Sequence, residues 1–264
     1  MKCLRQMLSC CLSLSASGSA ADMTYGVSPD GGVYAVDLDD AHSRLLFSGP
    51  FEWLGAADSG RPGILYGAVG FDNGFESLHE IDVINQTVTP IGDWGGAEIR
   101  ELAYDPARGI LYGSEQDELY LIDQSTGRAS LIGRYFGPSS IYAMAYLPTL
   151  DVLIGIDFAT NQLYHISTET GRATLVGSTG VARITDLWFD AAAERLYGVT
   201  NFDGHVYSIS PQTGAASLIG TTDTHLTGLG IGIPTPGALT ALAFPLAGLA
   251  CRRTRERIGE QTCG

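Results

Sequence analysis

The sequence predicts an all-β fold, a five-bladed β-propeller with antiparallel four-stranded blades. Three observations predict it. A unit of about 43 residues recurs five times, a period that marks propellers, solenoids and arrays. Each unit divides into short apolar runs separated by Gly, Asn and Asp turns, the pattern of strands in one antiparallel sheet. A first-strand pattern also appears once too often, at 226–231 after the last complete unit, while the first unit lacks it.

The units are anchored by Thr24-Tyr25-Gly26, Leu65-Tyr66-Gly67, Leu111-Tyr112-Gly113, Leu153-Ile154-Gly155 and Leu196-Tyr197-Gly198, with glycines 41, 46, 42 and 43 residues apart. In the third unit, 99–104 reads as a first strand and 110–114 as a second. Residues 119–122 then make a third strand and 128–133 a fourth. Thr-Gly pairs at 126–127, 170–171 and 213–214 put glycine where a hairpin needs positive φ. The first strand follows the pattern aliphatic-x-x-Leu/Met-x-aliphatic or aromatic. It begins at Phe51, Ile99, Ile141, Ile184 and Leu226, with starts 48, 42, 43 and 42 residues apart.

The strand at 226–231 is expected to complete the blade begun by 24–49. It would close the ring as a clasp between chain ends and leave no exposed sheet edge. An open β-array leaves that strand unexplained. The glycine-rich run 228–232 reads as close packing near the axis. Residues 24–232 resemble exported propellers whose repeats have the form L-Y-G…L-Y-x-I-D…T-G-x-A-x-L-I-G. That resemblance implies an architecture and says little about activity.

Charge excludes one class of partner. Residues 22–233 carry 27 acidic and 9 basic side chains, a net of −18, and the only lysine is Lys2. A body this acidic repels phosphate backbones, so no nucleic acid is expected as partner. The five cysteines, Cys3, Cys10, Cys11, Cys251 and Cys263, lie near the ends, so the body has no thiol for a zinc site or disulfide.

The two ends read as addresses. Residues 1–21 have a basic start (Lys2, Arg5), a short apolar run and a small-residue zone, the pattern of a secretory signal cleaved after Ala21 or Ala20. At the other end, 233–237 leads into an uncharged apolar run, 238–251, followed by Arg252, Arg253, Arg255 and Arg257. The run is shorter than the ~20 residues of a membrane span, and extending it back to Leu229 brings it close. The box Pro234-Thr235-Pro236-Gly237, the short hydrophobic helix and the arginines resemble the PEP-CTERM sorting signal of Gram-negative bacteria. The resemblance implies export, contact with the inner membrane through that helix, and an exosortase-type processing enzyme as partner. It further implies a place in the cell envelope or matrix, often beside exopolysaccharide. A plain C-terminal membrane anchor is the alternative. The expected organisation is thus a signal peptide at 1–21, a propeller at 22–232, a sorting or anchor segment at 233–257 and a tail at 258–264.

Candidate chemistry is sparse. Asp37-Leu38-Asp39-Asp40 and Asp72-Asn73-Gly74 are the richest acidic clusters, but neither matches a calcium loop, and turn formation explains both. No metal site or cofactor is expected, with calcium as the alternative. The starts of the innermost strands should converge at one mouth of the channel. Their second and third positions vary between units: Glu52/Trp53, Arg100/Glu101, Tyr142/Ala143, Thr185/Asp186 and Thr227/Gly228. Glu52, Trp53, Arg100, Glu101, Tyr142 and Asp186 are therefore the ligand-binding candidates, suited to sugar by stacking and hydrogen bonding. Trp94, Tyr135, Phe136 and Arg183, in the loops between blades, would extend that surface or cover the core. The expected role is non-enzymatic, binding a glycan or an envelope protein. The alternative is a glycoside hydrolase using the carboxylates Glu52, Glu101 and Asp186, which requires two of them about 5–9.5 Å apart.

Overall fold

The computed structural model describes residues 23–70, 76–191 and 193–230. The signal segment, the Asp72-Asn73-Gly74 cluster, the sorting segment with its helix, and the tail lie outside the described residues.

Blade one contains β1 (Met23–Val27), β2 (Gly32–Asp37) and β3 (Ser43–Ser48). Blade two is β4 (Trp53–Asp58), β5 (Ile64–Val69), β6 (Ser77–Asp82) and β7 (Thr87–Asp93). Blade three is β8 (Glu101–Asp105), β9 (Ile110–Glu115), β10 (Glu118–Ile122) and β11 (Ala129–Arg134). Blade four is β12 (Ile141–Leu147), β13 (Val152–Asp157), β14 (Gln162–Ile166) and β15 (Ala173–Ser178). Blade five is β16 (Ile184–Asp190), β17 (Arg195–Thr200), β18 (His205–Ile209) and β19 (Ala216–Thr221). A last strand, β20 (Gly228–Gly230), pairs antiparallel with β1 through Tyr25↔Gly230, Gly26↔Leu229 and Val27↔Gly228. The described residues thus form five antiparallel four-stranded sheets, with β20, β4, β8, β12 and β16 at their inner edges. No described residue is helical, and Leu229 belongs to β20. No described helix is long and apolar enough to cross a membrane.

Register corrects one part of the sequence reading. Gly113 pairs with Leu102, Gly155 with Met144 and Gly198 with Leu187, so these glycines follow Ile99, Ile141 and Ile184 by fourteen residues. In blade two, Gly67 pairs with Ala56, and the residue fourteen before Gly67 is Trp53. Trp53, not Phe51, therefore opens the innermost strand. Leu54 and Gly55, rather than Glu52 and Trp53, occupy the places of Arg100 and Glu101.

The anchoring glycines have a steric cause. A Cβ on Gly67 would lie 2.6 Å from the Trp53 ring and 2.9 Å from Ile81. On Gly113 it would lie 2.9 Å from both Ile99 and Ile122, and on Gly155 2.8 Å from Ile166 and 3.0 Å from Ile141. The second strand runs between two large side chains from its neighbours, and only a hydrogen fits.

Each pair of neighbouring blades encloses an apolar cluster. Trp53 and Leu65 join Val27 and Val33 between blades one and two, and Leu163 meets Leu187 and Leu196 between blades four and five. Val36, Leu38 and Ala41 pack against Trp188, Val206 and Leu229 between blades one and five. At the periphery the Thr-Gly hairpins dock on the preceding blade. A Cβ on Gly92, Gly133 or Gly177 would strike the carbonyl oxygen of Thr126, Thr170 or Thr213. The hairpin glycines Gly127, Gly171 and Gly214 have φ of 79°, 73° and 82°, as the turn requires.

Candidate functional site

A β-bulge at the start of the innermost strands separates the two candidate positions. In β12 and β16 the pairing skips Tyr142 and Thr185, and in β4 it skips Leu54. In blade three, Arg100 N–H donates to Ser114 O at 3.0 Å, while Glu101 is the paired partner of the same residue. The extra residue re-aims the chain, so consecutive side chains part. In blades two to five one is left partly exposed at the mouth and the next is buried at the axis.

At this first mouth the structure joins Arg100 and Tyr142. The Arg100 guanidinium donates to the Tyr142 hydroxyl at 2.5 Å and lies 5.5 Å from the ring centroid. It also pairs with Glu98 at 3.5 Å. Phe158 meets the Tyr142 ring edge-on at 4.9 Å. Glu52 is exposed on the connection before β4 and is not brought to this pair by the register. Trp53 is fully buried and fills the space left by Gly67, so it is a core residue and not a ligand platform. Of the loop residues, Trp94 and Tyr135 are buried and cover the core, while Phe136 is 73% exposed.

Equivalent positions one residue further in are Gly55, Glu101, Ala143, Asp186 and Gly228. Glu101 and Asp186 are both fully buried there. Asp186 Oδ1 accepts the Leu187 N–H at 2.6 Å, and Oδ2 accepts the Leu229 N–H of β20. Glu101 Oε1 accepts the Leu102 N–H at 3.0 Å, no N–H reaches Oε2, and the Glu101 carboxyl faces that of Asp186. Room for the pair comes from Gly55, where a Cβ would lie 3.1 Å from Glu101 Oε2.

Burial pushes the Glu101 carboxyl well above its usual range, and the negative charge and hydrogen bond of Asp186 push it further. Asp186 is also raised by burial, although Glu101 and the Leu229 and Leu187 N–H groups oppose the shift. Two such carboxyls in contact cannot both ionise. One proton stays between them, with Glu101 donating to Asp186.

A cup opens at the opposite mouth, where the innermost strands end. It has a volume of about 330 Å³. Its floor is Ala56, Leu102, Met144, Leu187 and Leu229, one layer beyond the carboxyl pair. Tyr104, Tyr146, Trp188 and Phe189 wall it, with Asp58 and Asp190. Sequence reasoning missed this cup. The signal was present in the aromatic residue that ends the first-strand pattern in three units, Tyr104, Tyr146 and Phe189.

The acidic turn at 37–40 behaves as expected. Asp37 Oδ1 accepts the Asp39 N–H and Asp40 Oδ1 the His42 N–H, which is turn chemistry. Among the described residues no three His, Cys, Asp or Glu side chains gather around a point that could hold a metal.

No family model and no curated protein matches the chain. Its shape is similar to that of solved structures. A chain in a nidogen–laminin complex superposes with a TM-score of 0.59 at 12% identity, covering 81% of this chain and 99% of that one. A structural-genomics protein of unknown function from Bacteroides thetaiotaomicron gives 0.56 at 14% identity, over 81% of this chain and 66% of that one. At these identities the likeness is one of fold.

Proposed function

We propose that this chain is an exported, non-enzymatic propeller of the cell envelope or matrix that binds a glycan or an envelope protein at its first mouth. The observation that carries this reading is the division of labour at the bulge. Among the side chains that vary between blades and remain reachable are Arg100 and Tyr142, a guanidinium and a ring held together. The carboxyls a hydrolase would need, Glu101 and Asp186, converge and have raised pKa values, but they are sealed at the axis and touch each other. A sugar ring has no room between them. The similar fold of a chain in a nidogen–laminin complex supports protein binding by a disc of this kind.

The same proposal includes the address. Residues 1–21 direct export with cleavage after Ala20 or Ala21, and 233–257 form a PEP-CTERM-like segment with a short membrane helix. That segment is processed by an exosortase-type enzyme in a Gram-negative envelope, beside exopolysaccharide. We further propose that β20 closes the ring. Its pairing with β1 supports this, as do the bond from Thr227 Oγ1 to Trp53 O at 2.8 Å and the Asp186–Leu229 bond.

A glycan-array screen of the purified chain, with and without calcium, tests the binding site. Binding is expected without turnover, and the Arg100→Ala, Tyr142→Ala double variant should weaken it at least tenfold. Unchanged binding by that variant would remove the first mouth as the site. Product release that disappears in Glu101→Gln would instead establish the hydrolase.

A further inference from the structure

The cup at the opposite mouth has a chemistry of its own, independent of the first mouth. Its described lining contains no Lys, Arg or His side chain, and no Ser, Thr, Asn or Gln. The acidic side chains in it are Asp58 and Asp190. Asp58 Oδ1 accepts the N–H groups of Ser59 and Gly60, at 2.6 and 2.9 Å, and Asp190 Oδ1 accepts that of Ala193 at 3.1 Å. One cation at the rim is Arg108, which donates to the Tyr146 hydroxyl at 3.0 Å. Its charge is already matched by Asp105 at 2.9 Å and Asp151 at 2.5 Å. Arg195 stands opposite Asp190 in the β16–β17 pair, so Asp190 already has a cation near it, and Asp58 is the carboxyl left to balance a ligand.

Such a cup suits few ligands. A sugar needs several fixed donors and acceptors, and the walls offer only tyrosine hydroxyls, the Trp188 N–H and the two carboxylates. A calcium ion needs 6–8 oxygens, and the floor is aliphatic. An anion meets carboxyls and no cationic side chain in the lining. A compact cation sheathed in carbon satisfies every wall at once. Its methyl groups pack on Leu102, Met144 and Leu187, the aromatic walls attract its charge, and the Asp58 carboxylate balances it. The volume of about 330 Å³ lies at the small end of ligand sites.

We propose that this cup binds a small, free quaternary ammonium compound of about the size of choline. Burial raises the Asp58 carboxyl above its usual range, the state of an acid with no cation beside it, and a bound cation would restore its charge. The net charge of −18 on residues 22–233 gathers cations around the whole body.

Calorimetry on the full chain tests this with choline and with 3,3-dimethyl-1-butanol, in which carbon replaces the charged nitrogen. Choline is expected to bind saturably and at least tenfold more tightly than the neutral isostere. Asp58→Asn keeps an oxygen for the Ser59 and Gly60 N–H groups while removing the charge. It should weaken choline about tenfold and leave the isostere unchanged. Equal affinity for the two compounds, or an unaltered Asp58→Asn variant, would overturn the proposal. Displacement of choline by phosphatidylcholine vesicles would also overturn it, assigning the cup to a lipid headgroup.

Discussion

At the scale of single residues, the axial carboxyls make stability depend on pH in an unusual direction. Both Glu101 and Asp186 have folded-state pKa values above those of an unfolded chain, which lie near about 4. Their contribution is fully present below that unfolded value and is lost as pH rises through the folded value. Between the two, the folded state must hold a proton that the unfolded chain gives up. Glu101→Gln keeps a donor toward Asp186 and removes the proton requirement. Urea unfolding should show the variant and the parent alike near pH 4. The variant should then gain about 1.4 kcal/mol for each pH unit above that, until the folded pKa is passed. A constant difference from pH 4 to pH 8 would contradict the shared proton. The sequence made Glu101 and Asp186 candidates for their place in the repeat. Their contact was not legible, because it depends on the bulge and on Gly55 two blades from Asp186.

At the scale of strands, the repeat was legible because packing imposed it. The glycine of each second strand sits between large side chains from both neighbours, so its spacing records blade geometry directly. Gly113→Ala in β9 should cost about 1–3 kcal/mol in chemical denaturation, since its Cβ would press on Ile99 and Ile122. Gly96→Ala serves as the comparison for loss of glycine alone. It has φ of 105° and no atom within 4 Å of an added Cβ, so its cost is backbone strain without a clash. The strand bounds expected in blade three differ from the observed ones by no more than two residues. The misplaced first strand of blade two has a specific cause. Phe51 and Trp53 both fit the start of an apolar strand, and Phe51 packs against the Trp53 cluster and meets the His79 ring at 4.3 Å, tilted by 50°. The glycine spacing of 46 between blades two and three, against a strand spacing of 48, already pointed to Trp53.

At the scale of the whole molecule, three of the blade junctions repeat the same contact, a Thr-Gly hairpin on the preceding outer strand. Gly220 meets Asp40 and Ala41 in the corresponding place between blades five and one. Phe47 stands at this position in β3, so blades one and two meet through side chains instead. If β20 closes the ring, residues 22–233 should unfold in one cooperative transition. A chain ending at residue 225 should lose cooperativity and associate through the bared edge of β1, as read by calorimetry and sedimentation. A cooperative monomer from the shorter chain would sink that closure. The opposite cup was illegible at this scale because its walls are scaffold positions in every blade. Only their convergence, and the small Ala57, Ala103 and Ala145 among them, opens a space. The position of β20 has a mechanical consequence. The chain leaves Gly230 at the hub of the disc and not at its circumference. Traction on whatever follows Gly230 runs along the strand, and the bonds from β20 to β1 stand across that direction. They resist together in shear, where a strand at the outer edge would be unzipped one bond at a time.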